Sequence, residues 1–103
     1  NTSGATLLHL AAEAGLANMV NELINVYHLD KDARDYHGYT PLHIAAVHNQ
    51  LLVIFDLIMK HKVNKNLRTK QGLTPFDFVQ NKKDFNLASL LKPNSSRKKP
   101  LSK

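Results

Sequence analysis

The sequence predicts an all-α fold, a solenoid of helix–turn–helix units joined by short hairpin loops. Three observations carry that expectation. A tetrapeptide recurs as T-L-L-H (Thr6 to His9), T-P-L-H (Thr40 to His43) and T-P-F-D (Thr74 to Asp77). A glycine stands two residues ahead of each copy, at Gly4, Gly38 and Gly72, so the interval is 34 residues both times. Each copy is followed by apolar residues at helical spacing. A period of this length marks a stacked repeat, in which one unit cannot bury its own apolar face and its neighbours complete the core.

The elements follow in order. The first period offers helices over 6–14 and 17–26, with Gly15 able to end the first in a left-handed conformation. In the second, Asp35-Tyr36-His37-Gly38 reads as a turn. Thr40 fits a helix N-cap and Pro41 the first helical position, where its missing N–H costs nothing. Leu42, Ala45 and Ala46 follow at helical spacing, and Asn49 fits a helix end. A second helix is expected from about Gln50 to Lys60, with an apolar stripe of Leu51, Ile54, Leu57 and Ile58. The third period is expected to repeat the plan with helices over 74–81 and 85–91. Small residues at Ala11-Ala12 and Ala45-Ala46 let neighbouring helices approach closely.

These residues carry a resemblance. G-Y-T-P-L-H-I-A-A (Gly38 to Ala46) is similar, almost position for position, to the ankyrin repeat, and G-A-T-L-L-H-L-A-A-E-A-G (Gly4 to Gly15) departs by Leu7 in place of Pro. The segment D-K-D-A-R-D (Asp30 to Asp35) resembles the family's hairpin. The likeness covers the chain to about Lys92, giving an expected ankyrin-repeat domain over 1–92 with repeats at about 4–37, 38–71 and 72–92. Each period is one residue longer than the family's common length of about 33, and the extra residue is expected near Tyr27 and His61. In the third period Asp77 replaces His and Val79-Gln80 replaces the alanine pair, which suits a C-terminal cap.

The 103 residues make one domain, and the absent initiator methionine reads as a fragment of a longer protein. There is no cysteine for a disulfide or thiolate zinc site. No apolar run reaches membrane-span length and no secretory leader is visible, so an intracellular setting, cytoplasmic or nuclear, without membrane contact is expected. Asn1-Thr2-Ser3 and Asn94-Ser95-Ser96 match a glycosylation triplet and are read as accidental. Charge is uneven: residues 1–35 carry two basic and five acidic side chains, net −3, and residues 36–92 carry eight and three, net +5. Residues 93–103, with two prolines and four basic residues, are expected to be a disordered basic tail.

Catalytic signatures are missing: there is no G-x-S-x-G, no P-loop, no H-E-x-x-H and no cysteine nucleophile. No catalytic residue, cofactor or metal is expected. The ankyrin resemblance assigns His9 and His43 to backbone hydrogen bonding within and between repeats, and Thr6, Thr40, Pro41, Thr74 and Pro75 to the same structural motif. It implies a non-catalytic protein-binding module, a scaffold of the kind found in signalling adaptors and transcription regulation. The partner would be another protein or another domain of the parent chain.

The resemblance also says which positions face a partner: Tyr36, His37 and Tyr39 on the second hairpin, Val47 and His48 on its first helix, and Lys70, Gln71, Leu73, Asn81 and Lys82 in the third period. Phe55 and Met59, at positions where the family faces solvent, would form a second apolar docking patch, an idea that fails if both are buried in the domain itself. The alternative function is anion or nucleic-acid binding through Arg68, Lys70, Lys82, Lys83 and the tail. Glu22 and Asp56 stand where the family usually has an apolar residue, so that either the stack is weakened there or the carboxylates reach Asn or Lys neighbours.

Overall fold

A computed structural model describes residues 4–79 and 89–92. Among them are four α-helices, α1 (Leu7–Ala14), α2 (Ala17–Asn25), α3 (Pro41–Val47) and α4 (Leu51–Met59), and one 3₁₀ turn (Pro75–Phe78), with residues 89–91 helical again. No strand occurs among the described residues. α1 packs on α2 and α3, α3 on α4 and the 3₁₀ turn, and α2 on α4. The result is an inner row of α1, α3 and the 3₁₀ turn, backed by an outer row of α2 and α4.

Local chemistry starts each inner helix. Thr6 and Thr40 hold extended backbone, and their hydroxyls accept the N–H of His9 and His43 at the third helical position. The imidazoles answer by accepting the threonine N–H at Nδ1, each at 3.1 Å. This reciprocal box satisfies donors that a helix start leaves open. Gly15 and Asn49 take left-handed conformations after the inner helices (φ 75° and 56°), as their positions suggest.

Close approach between the rows is the work of the small residues. Ala11, Ala12, Ala45 and Ala46 are buried among Leu8, Val20, Leu42, Ile54 and Leu57. α2 and α4 end identically. Val26 and Tyr27 N–H both reach Glu22 O, and Leu29 N–H reaches Leu23 O; Lys60, His61 and Val63 repeat this onto Asp56 O and Leu57 O. His28 and Lys62 supply the left-handed residue (φ 57° and 51°) of a closure usually made with glycine. Gly38 has no such freedom of choice: at φ 83°, a Cβ there would lie 2.8 Å from the Lys70 backbone nitrogen of the next hairpin.

Two expectations are corrected. Leu51 is exposed, and Val53 takes its place in the core beside Ile54 and Leu57. Leu51 opens α4, and side chains tilt toward a helix N-terminus, so it projects past the packed turn. In the third period the first helix is a 3₁₀ turn that stops at Phe78, with Val79 extended (φ −65°, ψ 121°). A branched valine occupies the position where Ala11 and Ala45 allow close approach, and the α-helix does not continue through it. The rest of that expected helix and most of 85–91 lie outside the described residues, as do the tail 93–103 and both glycosylation triplets.

Candidate protein-binding groove

The motif residues hold the stack rather than line a site. With Nδ1 accepting from the threonine N–H, each imidazole carries its proton on Nε2 and donates it to the next repeat: His9 to Tyr39 O at 2.7 Å, His43 to Leu73 O at 2.9 Å. Burial holds the His43 imidazole below its usual pKa, against the opposing pull of its bond to the Leu73 carbonyl. In the third period Asp77 Oδ2 accepts from Thr74 N at 2.8 Å, so a carboxylate keeps the local cap. An ionised carboxylate has no proton to send onward.

Between the second and third hairpins and α3 lies a groove of about 380 Å³ lined by Asp35, His37, Tyr39, Ile44, Lys70 and Gln71. Its walls are fixed by backbone. Asp35 Oδ1 accepts from His37 N and Tyr39 N, both at 2.9 Å, and Lys70 N donates to His37 O at 3.0 Å. Thr69 Oγ1 repeats the Asp35 role, accepting from Gln71 N and Leu73 N.

Four residues expected to face a partner, His37, Tyr39, Lys70 and Gln71, come together in this groove. Tyr39 is half-buried and also structural, with its ring 5.4 Å from Phe78 and 5.8 Å from His43. Tyr36 is exposed, and its ring lies over Gly4, where a Cβ would meet it at 2.5 Å. Val47 and Leu73 are half-buried, and His48 is exposed beside Glu13 at 3.9 Å; none of these three lines the groove. Asn81 and Lys82 lie outside the described residues. Asp35 and Ile44 are additions that sequence reasoning missed; Asp35, as the first residue of the turn, was the available signal.

The outer row holds a polar chain in which Asp56 reaches both an Asn and a Lys neighbour. Asn21 Nδ2 donates to Asp56 Oδ2 at 2.9 Å, and His61 Nε2 donates to Asn21 Oδ1 at 2.6 Å. Asp56 and His61 are both buried, and burial lowers the pKa of the His61 imidazole against the raising effect of Asp56. Lys60 reaches Asp56 Oδ1 at 3.8 Å. This accounts for the carboxylate at Asp56, while Glu22 is exposed. Phe55 and Met59 stay 47% and 50% exposed, so the condition that would have ended the second-patch idea is not met. Basic residues are partly committed to the scaffold: Arg68 Nη1 donates to Gly72 O, Lys65 Nζ to Leu90 O, Lys31 Nζ to His61 O and Arg34 Nη2 to Arg68 O. Among the described residues no group of three metal-ligating side chains forms, and no helix is long and apolar enough to cross a membrane.

A family model described as ankyrin repeats, in three copies, matches residues 1–69. No curated protein matches the chain.

Proposed function

The chain belongs to the ankyrin-repeat family, whose repeats are protein–protein interaction modules, and from that premise we propose a non-catalytic module that holds a partner protein in the groove between its second and third hairpins. The observation that carries this reading is the fixed backbone of the groove: both walls are held by turn hydrogen bonds and by the Lys70–His37 bridge between hairpins. A pre-formed surface loses little entropy on binding. Tyr39 and Ile44 supply apolar area, and Asp35, His37, Lys70 and Gln71 supply polar contacts around it. Tyr36, Val47, His48 and Leu73 extend the same binding surface in this reading; Asn81 and Lys82, which the resemblance also assigns to a partner, lie outside the described residues. Phe55 and Met59 form a separate apolar contact on the outer row.

Affinity capture from a native lysate tests the groove, with His37→Ala/Lys70→Ala/Gln71→Ala as control. Tyr39 is left intact because its ring packs in the stack. The expected result is a protein captured by the parent chain and weakened at least about tenfold by the triple variant, whose helical circular dichroism is unchanged. Equal recovery by both chains removes the groove. Capture of nucleic acid instead, weakening steeply with salt, would select the basic-surface alternative.

A further inference from the structure

The first repeat presents, uncovered, the face that the second repeat buries. A cavity of about 530 Å³ is lined there by Leu7, Met19, Glu22, Leu23, Tyr27 and Leu29. One period of 34 residues onward, these positions are Pro41, Val53, Asp56, Leu57, His61 and Val63, and all six are buried. They lie in the repeat whose helices α3 and α4 pack on α1 and α2. In the first repeat Leu7 and Tyr27 are each 63% exposed and Met19 is 47% exposed.

We propose that this face docks a further helix–turn–helix repeat, supplied ahead of Gly4 in the same polypeptide and in register with the 34-residue period. Continuity with the existing interface says what fits. At that interface the earlier repeat sends donors forward: Asn21 to the Asp56 carboxylate and Lys31 to the His61 carbonyl. The matching acceptors on the uncovered face are the Glu22 carboxylate and the Tyr27 carbonyl, so the docking unit carries an amide or cationic side chain on its second helix and a basic residue after it. A second copy of this chain fits poorly. Face-to-face pairing would bring Glu22 against Glu22 within a segment of net charge −3.

The test duplicates residues 4–37 directly ahead of Gly4, which keeps the period. Solenoid stability sums over neighbouring interfaces, so the extended chain should melt roughly 5–10 °C higher than the 103-residue chain, and the amides of 17–25 in the original first repeat should gain exchange protection. Met19→Glu in that original repeat should abolish both gains, yet leave the melting point of the 103-residue chain unchanged, since Met19 is already exposed there. No gain in melting point or protection overturns the proposal. So does a gain that survives Met19→Glu. Sedimentation showing that the 103-residue chain forms dimers broken by Met19→Glu would assign the face to a second copy instead.

Discussion

The junction between the first two repeats and the junction between the second and third share a plan but differ in chemistry. Both are stitched along the inner row by an imidazole reaching a backbone carbonyl, His9 to Tyr39 and His43 to Leu73. The outer row differs. At the first junction Asn21 meets Asp56 and His61 in a polar chain; at the second, Phe55 stands at the Asn21 position, and Leu90 at the Asp56 position. The inner row and the caps are thus common to both junctions, while the residues at these outer-row positions change from polar to apolar.

Breaking an inner stitch should cost most. His43→Ala removes the Thr40 cap contact and leaves the Leu73 carbonyl and a cavity behind, and should destabilise the fold by about 2–4 kcal/mol in urea melts. If the loss were under about 1 kcal/mol, the inner row would not be what sets the stack. The outer row comes next. Asn21→Leu strands the buried Asp56 carboxylate and the His61 N–H and should cost about 1–3 kcal/mol, whereas Phe55→Asn, on a half-exposed position, should stay within about 0.5 kcal/mol. Equal costs would erase the contrast between the junctions.

Each junction also holds one imidazole whose pKa burial lowers, His61 at the first and His43 at the second. The unfolded chain therefore takes up protons first. Stability should be complete above the usual histidine value of 6.5 and decline as pH falls from there toward the folded values. Thermal melts between pH 7.5 and 5.5 measure this above the carboxylate range (roughly 4). His61→Gln, which can still donate to Asn21, should flatten only the part of the decline that belongs to the first junction. A melting point independent of pH across that window would show that neither imidazole resists protonation.

Much of this was legible in the sequence because it rests on local rules. The caps at Thr6 and Thr40 and the left-handed ends at Gly15 and Asn49 follow from residue type and position alone. The forward bonds of His9 and His43 came from the family pattern, since nothing local tells an imidazole which carbonyl lies ahead. The groove was half legible: the hairpin residues were named, but Ile44 joins them only through packing, and Tyr39 proved to be shared with the stack. Of the chain Asn21–Asp56–His61 only an Asn or Lys neighbour for the carboxylate was legible; which Asn it is, and that His61 joins, was not, because the members sit 35 and 40 residues apart and pair only once α2 and α4 stack. The third period misled because an intact T-P-F-D cap starts a turn without deciding how far it continues past Phe78.

The smallest expected effect concerns Lys60. It lies 3.8 Å from the same carboxylate that Asn21 engages, but its side chain is mostly in solvent while Asp56 is buried. Solvent screening and the entropy of a long side chain leave such a pair at about 0.5 kcal/mol or less, so Lys60→Ala should barely move the urea midpoint. Its contribution should also vanish in high salt, whereas the Asn21→Leu penalty should persist, because a direct hydrogen bond to a buried carboxylate is screened little. A Lys60→Ala loss above about 1 kcal/mol would mean that the lysine, not the amide of the preceding repeat, holds Asp56. The first junction would then owe its polar character to an ion pair within α4 and its cap, and its difference from the second would no longer lie between repeats.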